Sequence, residues 1–187
     1  SFQTSTSPKY GEDKYSKVAE SVMVAALFTY AGPEYVAMCR LKGDDAAADK
    51  AQAAVDKMKD NIMKYGWDGE WFLRAYDDFG KKMGSHECEE GKIFIEPQGF
   101  AVMGGVGKET GADLKALESV DKYLNSTHGL VLNQPAFTKY YIEYGEISTY
   151  PAGYKENAGI FCHNNAWIIC AEAFVGHGDK AFEYYSK

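Results

Sequence analysis

Apolar residues at helical spacing constrain the fold of this chain more than any other feature. After Asp44 and Asp45, both suited to cap a helix, small and apolar side chains recur three or four residues apart until Gly66 provides a stop. The recurring positions are Ala48, Ala51, Val55, Met58 and Ile62. Segment 17–41 has a similar period and is interrupted near Pro33. The two segments predict a helical hairpin.

Four further helices are predicted along the chain. One begins near Pro97, one spans 113–124, one covers about 158–175, and a last one begins after Gly178 with Asp179 as its cap. Segment 158–175 is apolar nearly all round, which indicates a helix buried on most faces. The residues of 113–124 predicted to face inward are Leu114, Leu117, Val120 and Leu124.

The segments between these helices are long. Segments 67–84 and 127–150 lack a helical period, so we expect either an irregular loop or a short hairpin in the first and a long irregular connection in the second. Long loops held by a scaffold usually form a functional site. Helix pairs joined by such loops, without strands to form a sheet, predict an all-α toroid of helical hairpins.

Composition and charge limit the possible partners. Twenty basic against twenty-seven acidic residues give a net charge of -7, and no long basic cluster is present. We therefore expect neither a nucleic acid nor an anionic membrane as partner. No apolar run approaches the roughly 20 residues of a spanning helix, and the first residues do not resemble a signal peptide. These features predict a cytoplasmic protein.

The cysteines and histidines give little indication of a metal. The four cysteines form no C-x-x-C pair, so reduced and mostly buried thiols are expected. His86 and Cys88 lie too close together for a usual zinc knuckle, and a second pair is missing, so no metal is expected.

Aromatic and acidic residues share the loops. Sugars stack their C–H faces on aromatic rings and bind carboxylates through hydroxyls, which favours a carbohydrate site, although plain packing competes for each ring. The rings are Trp67, Trp71, Tyr76, Tyr140, Tyr141, Tyr144, Tyr150 and Tyr154. Asp77 and Asp78, with Asp68 and Glu70, suggest the paired carboxylates of a glycosidase. Adjacent acids rarely face one substrate from both sides, so a solvated or Arg74-paired loop is the preferred interpretation.

His163 is the histidine most suited to a ligand. It lies one turn after Gly159 and one before Trp167, where a hydrogen-bonded core histidine is the competing interpretation. Lys155 and Glu156 precede it at the expected N-terminal end of a helix, a position that favours anions. A phosphate would fit there.

Several blocks of the sequence resemble one enzyme family almost without gaps. They are "KVAESVMVAALF", "YGWDGEWFLRAYDDFG", "EEGKIFIEPQGFAVMGGVG", "LVLNQPAFTKYY" and "GEISTYPAGYKENAGIFCHNNAWIICAEAFVGHGDKAFEYY". The chain is similar to the catalytic domain of the inverting cellobiose and chitobiose phosphorylases, most of all to those acting on cellobiose. This resemblance implies that residues 1–187 are one internal segment of a single (α/α)6 barrel, without an internal domain boundary. The missing initiator Met and the helical pattern at the C-terminus agree with such a fragment.

The resemblance implies a specific reaction. Inorganic phosphate cleaves cellobiose to α-glucose 1-phosphate and glucose with inversion, and no cofactor is involved because phosphate is a substrate. Phosphate is already a nucleophile, so the protein needs an acid for the leaving oxygen and a cationic cradle for phosphate. The expected partners are therefore cellobiose, glucose, glucose 1-phosphate and phosphate, and a homodimeric parent protein.

The resemblance also implies roles for individual residues. His163 matches the phosphate-binding histidine, and Glu146 matches the acid that holds the acceptor glucose. Lys155 and Glu156 match the adjoining active-site pair, while Tyr150 is expected to line the acceptor site.

Two parts of the family pattern do not occur in the sequence. The general acid belongs to a tryptophan-asparagine-aspartate motif expected upstream of Ser1, and a glycine-rich phosphate loop is expected downstream of Lys187. We therefore expect no catalytic residue in this chain and no activity from it alone. A phosphorylase of another β-linked disaccharide or of cellodextrins remains an alternative, as does a non-catalytic helical sugar-binding domain.

Overall fold

The protein folds as six α-helices in the part of the chain that the structure describes. A computed structural model describes residues 19–77, 79–142 and 144–187. The helices are α1 (Val22–Lys42), α2 (Asp45–Asn61), α3 (Ile95–Met103), α4 (Ala112–Leu124), α5 (Cys162–Phe174) and α6 (Gly178–Tyr185). The strands in this part have two residues each and lie outside the helices, so the all-α prediction is confirmed.

The short strands form three small antiparallel sheets. The strands are β1 (Glu20–Ser21), β2 (Ala75–Tyr76), β3 (Lys82–Met83), β4 (Ile93–Phe94), β5 (Asn125–Ser126), β6 (Gly129–Leu130) and β7 (Asn133–Gln134). β1, β2 and β3 pair in that order, β4 pairs with β7, and β5 pairs with β6. The hairpin expected within 67–84 is β2–β3, and β4–β7 ties the connection before α3 to the connection before α5.

The first helical hairpin is confirmed, with one correction. Asp44 caps α2 by accepting a hydrogen bond from the amide of Ala47 at 3.1 Å, and a π-helical turn prolongs α2 to Gly66. α1 runs without interruption through Pro33, so the predicted break is wrong. A Cβ on Gly32 would lie 2.4 Å from Val55, which shows how closely α1 and α2 pack. This packing offsets the hydrogen bond that Pro33 cannot donate.

Helix packing produces an arc of three hairpins in the described residues. α1 packs on α2, α3 on α4, and α5 on α6, while α1, α3 and α5 also pack side by side. This arrangement is a part of an (α/α)6 barrel. Within each hairpin the two helices are joined by a short segment, so they run antiparallel. The long connections 67–94 and 125–161 therefore meet at the other end of the arc, before α3 and α5.

α1 is also long and apolar enough to cross a membrane. It is the one described helix that meets this test of length and composition, so the prediction that no run approaches such a length is wrong. Core helices of soluble proteins pass the same test, and α1 contacts both α2 and α3. Length and composition therefore do not assign α1 to a membrane.

Four other helix predictions need correction. α5 begins at Cys162, because Ala158 has a φ of 61° and Ile160 pairs with Val131 in an isolated bridge. α5 is also exposed along one face, which carries Cys162, His163, Ala166 and Cys170.

In α4, the predicted inward residues are buried except Leu114, which is 41% exposed. His177 occupies the N-cap of α6, and Asp179 lies in its first turn.

Candidate functional site

A cavity of about 350 Å³ lies where the two long connections meet. Its lining consists of Arg74, Phe94, Glu96, Glu146, Ile147, Tyr150 and Glu156. The structure thus brings together Glu146, Tyr150 and Glu156, three of the residues predicted to bind substrate. A larger groove of about 840 Å³ lies between α1, α2 and connection 104–111, but its lining contains none of the predicted site residues.

Glu146 and Tyr150 form a hydrogen-bonded pair in the wall of this cavity. A 3-10 helix, Gly145–Thr149, carries Glu146, and Tyr150 follows it directly. The Tyr150 hydroxyl donates to Glu146 Oε1 at 2.6 Å. This hydrogen bond to a carboxylate raises the pKa of Tyr150 to about 12, so the phenol stays protonated at neutral pH. Glu146 keeps its second oxygen for further hydrogen bonds.

Lys155 lies beside the cavity rather than in its lining. Its ammonium is 4.8 Å from the centroid of the Tyr150 ring and 5.7 Å from that of Tyr154. These distances are those of cation–π contacts, which orient the rings. Lys155 also has a φ of 49°, an unusual value for a residue with a side chain and one often found at functional sites.

Buried asparagines hold segment 150–161 against the connection that precedes it. Asn157 accepts from the amide of Phe137 at 2.7 Å and donates to the carbonyls of Phe137 and Tyr150 at 2.9 and 2.7 Å. Asn133 accepts from the amide of Ala158 at 2.7 Å. Asn165 in α5 likewise accepts from the amide of Leu130 and donates to its carbonyl. Several polar residues near α5 are therefore satisfied by the protein itself.

His163 lies in the first turn of α5 and is exposed, so it is not a core histidine. Its ring centroid is 5.2 Å from that of Trp167 and 5.6 Å from that of Phe161. Lys155 and Glu156 precede α5 in a loop instead of forming its first turn, so the predicted helix-end position is wrong for both. His163 does occupy that position, where unpaired backbone amides favour an anion.

Sequence reasoning missed the ion pair of Arg74 and Glu96. Arg74 lies just before β2 and Glu96 in the first turn of α3, with Arg74 Nε and Glu96 Oε1 3.6 Å apart. Burial raises the pKa of Glu96, while the nearby guanidinium of Arg74 opposes this effect. A charged residue in the block "IFIEPQGF", which is otherwise mainly apolar, was the available signal.

Most of the predicted loop aromatics and acids have structural roles. Of the aromatic rings predicted to contact a sugar, Tyr150 is the one found among the described residues that line the cavity. The indole of Trp71 is buried and donates to the carbonyls of Gly84 and Lys92, both at 2.9 Å. Asp77 is buried and accepts from the amides of Phe79 and Lys81, both at 2.8 Å, so it is not solvated. Asp78 lies outside the described residues.

The described residues contain no group of three or more His, Cys, Asp or Glu that could hold a metal ion. His86 instead shares a hydrogen bond of 2.7 Å with Asp68. All four cysteines are free thiols, with Cys39 and Cys88 buried and Cys162 and Cys170 exposed. The prediction of mostly buried cysteines is therefore correct for two of them.

Sequence comparison assigns this architecture to an enzyme class. Residues 11–187 match the catalytic domain of the glycosyl hydrolase 94 superfamily, and the chain belongs to this family. The chain is 36% identical over 168 residues to an N,N'-diacetylchitobiose phosphorylase of Vibrio furnissii, covering 89% of the chain and 21% of that protein. It is 34% identical over 170 residues to a solabiose phosphorylase of Paenibacillus borealis, covering 90% and 22%.

Another relative has an acidic sugar in its name. A 3-O-beta-D-glucopyranosyl-beta-D-glucuronide phosphorylase of Paenibacillus borealis is 29% identical over 170 residues, with 90% of the chain and 22% of that protein covered. The chain spans about a fifth of the length of the curated relatives it matches.

Proposed function

We propose that this chain is part of an inverting disaccharide phosphorylase, and that its substrate is cellobiose. Membership of the family and the cavity with the Glu146–Tyr150 pair support this proposal. The carboxylate of Glu146 is suited to accept hydrogen bonds from hydroxyls of the acceptor glucose, and the ring of Tyr150 offers a face to its C–H groups. A volume of about 350 Å³ is at the lower end of ligand pockets, as expected for one sugar ring.

The phosphate side of the reaction is proposed for His163. Its exposed imidazole and the free amides at the start of α5 would contact phosphate oxygens. Lys155 is proposed to hold the acceptor wall in place through the rings of Tyr150 and Tyr154, while Glu156 lines the same wall. The general acid and the glycine-rich phosphate loop are proposed to belong to other segments of the parent protein, in keeping with the resemblance.

The remaining properties follow from the same proposal. Phosphate acts as a substrate and no cofactor takes part. The parent is proposed to be a cytoplasmic homodimer in which residues 1–187 belong to one catalytic domain.

The charges of the cavity favour a neutral acceptor over an acidic one. In the described lining, three carboxylates accompany a single guanidinium, that of Arg74, which pairs with Glu96. A glucuronate or gluconate carboxylate would be repelled by these neighbours. Another neutral β-linked disaccharide or a cellodextrin is therefore the second candidate substrate.

The test is synthesis by the full-length parent from α-glucose 1-phosphate and a panel of acceptors. Glucose, cellobiose, N-acetylglucosamine, glucuronate and gluconate should be compared by phosphate release. We expect the highest kcat/KM with glucose and little activity with either acid. A preference for cellobiose would indicate a cellodextrin phosphorylase, and sugar binding without any phosphate release would indicate a binding domain.

A further inference from the structure

We propose that Glu96 is a further acceptor-binding residue, whose carboxyl group accepts a hydrogen bond from one sugar hydroxyl and thereby orients the acceptor ring. The inference rests on the proposed phosphorylase function. It adds a second carboxyl, from a different element, to the recognition by Glu146. The family resemblance noted above assigns no role to this position.

The position of Glu96 is fixed by the fold. It lies in the first turn of α3, directly after β4, whose Phe94 also lines the cavity. Two residues further on, the fully buried Gln98 accepts from the amide of Phe72 at 2.9 Å. Gln98 also donates to the carbonyls of Phe72 and Phe94 at 2.8 and 2.9 Å. These bonds hold the start of α3 against the connection before it, so the wall that carries Glu96 is preorganised.

One carboxyl oxygen of Glu96 lacks a hydrogen-bond donor among the described residues. Its Oε2 atom is buried and has no hydrogen-bond partner among the described residues. Its Oε1 atom is 3.6 Å from Arg74 Nε, which is longer than a hydrogen bond. The buried carboxyl of Glu172, away from the cavity, instead has His177 Nδ1 2.8 Å from its Oε2. Buried polar atoms are rarely left without a partner, and this one belongs to a residue that lines a cavity.

The charge of the surroundings favours a sugar hydroxyl as that partner. Glu146 and Glu156 also line the cavity, so an anion such as phosphate would be repelled there, whereas a neutral hydroxyl would donate to any of the three carboxyls. Arg74 provides the opposite charge that keeps Glu96 an acceptor, although burial raises the pKa of Glu96. A carboxyl accepts a hydrogen bond in either protonation state.

The experiment is a double-mutant cycle between Glu96 and the hydroxyls of the acceptor in the full-length parent. Wild type, Glu96→Ala and Glu96→Leu are assayed for synthesis from α-glucose 1-phosphate with glucose and with 1-, 2-, 3- and 6-deoxyglucose, so that each hydroxyl except the reacting O4 is tested in turn. We expect Glu96→Ala to lower kcat/KM for glucose by about 10- to 150-fold, the range for a charge-assisted hydrogen bond. One deoxyglucose should lose no more than about twofold on the same substitution, because the hydroxyl that Glu96 binds is already absent.

Control measurements separate this role from a structural one. Glu172→Gln removes a buried carboxylate outside the cavity. It should leave the kcat/KM of each deoxyglucose relative to glucose unchanged. Equal losses for glucose and all deoxyglucoses on Glu96→Ala would overturn the proposal, even if the melting temperature falls. Should Glu96→Ala not fold, Glu96→Leu, which fills a similar space without an acceptor oxygen, takes its place, and equal losses for glucose and all deoxyglucoses on that substitution overturn the proposal. If the wild-type parent shows no phosphate-dependent activity, the proposed function is overturned together with this inference.

Discussion

At the residue scale, the site depends on a few polar contacts that the fold makes between distant segments. Glu146, Tyr150 and Glu156 lie in one specific block of sequence, and the fold places all three in the lining of one cavity. The pairing of Arg74 with Glu96 could not be predicted, because it depends on the connection from β2 to α3 folding back on itself. Sequence patterns give spacing along an element but not which charged residues meet across a loop.

Substitutions in the Glu146–Tyr150 pair should lower acceptor kcat/KM by different amounts. Glu146→Ala in the full-length parent should lower kcat/KM for glucose as acceptor by about 10- to 150-fold, since a carboxylate that accepts sugar hydroxyls is lost. Tyr150→Phe removes the donor to Glu146 but keeps the ring, so a loss of about 2- to 10-fold is expected. The measurement is acceptor saturation at fixed α-glucose 1-phosphate, and unchanged values for both variants would remove the pair from the site.

The pKa of Tyr150 makes a prediction about pH. Its hydrogen bond to Glu146 raises this pKa to about 12, so the proton is held more tightly in the folded protein. The contribution of this bond is therefore complete below the usual tyrosine pKa of about 10 and is lost only as the pH rises towards 12. Wild type and Tyr150→Phe should show the same alkaline limb in kcat/KM up to about pH 10. A limb below that pH that is present in wild type and absent in the variant would contradict the assignment.

His163 is predicted to act on phosphate and not on the acceptor. His163→Ala should raise the phosphate KM by on the order of 10- to 100-fold through loss of a charge-assisted contact. The KM for the sugar and the melting temperature should change little, because the imidazole is exposed. Phosphate saturation curves in the phosphorolysis direction test this, and a lower melting temperature with normal phosphate dependence would indicate a purely structural histidine.

At the scale of elements, helices were more predictable than their connections. Helical period located α2 and α4 well, because their apolar residues face one neighbour. The predicted start of α5 at Ala158 is too early, because the hydrogen bonds from the backbone of segment 137–158 to Asn133 and Asn157 override the helical tendency of 158–161. Such hydrogen bonds between an asparagine side chain and the backbone join residues about twenty positions apart, and no local sequence pattern indicates them.

Gly159 tests how firmly segment 150–161 is held. A Cβ at this position would lie 2.3 Å from the carbonyl oxygen of Lys155, so Gly159→Ala must displace the loop. We expect a loss of acceptor kcat/KM of tenfold or more, because an ångström of misplacement can cost about 100-fold. Gly178→Ala, at a position with open space around it, is the matched control and should keep normal kinetics. Normal acceptor kinetics in Gly159→Ala would show that the loop position does not matter for binding.

At the scale of the whole molecule, three hairpins make an arc, and within the described residues no further helix packs on the outer sides of its first and last hairpins. The outer faces of α1 and α5 expose large apolar side chains, among them Phe28 at 41% and Phe174 at 61%. Such faces normally pack against further structure. The all-α class and the repeated hairpin could be predicted from periodicity, while the closed (α/α)6 geometry came from resemblance, because periodicity does not encode the number of hairpins in a ring.

Residues 1–187 should therefore fold poorly in isolation. We expect helical circular dichroism, association in sizing experiments and a broad thermal transition, since the apolar faces of α1 and α5 remain exposed to water. Circular dichroism melts and light scattering of the isolated segment test this expectation. A monomer with a sharp cooperative melt would show that the arc is a complete folding unit.

The cleavage of cellobiose by the full-length parent distinguishes a phosphorylase from a hydrolase or a binding domain. Cellobiose is incubated with the enzyme, with and without inorganic phosphate, and the products are followed by proton and phosphorus NMR. We expect equal amounts of glucose and α-glucose 1-phosphate, formed only when phosphate is present. Release of glucose without phosphate, formation of β-glucose 1-phosphate, or no cleavage of any β-linked disaccharide would contradict it.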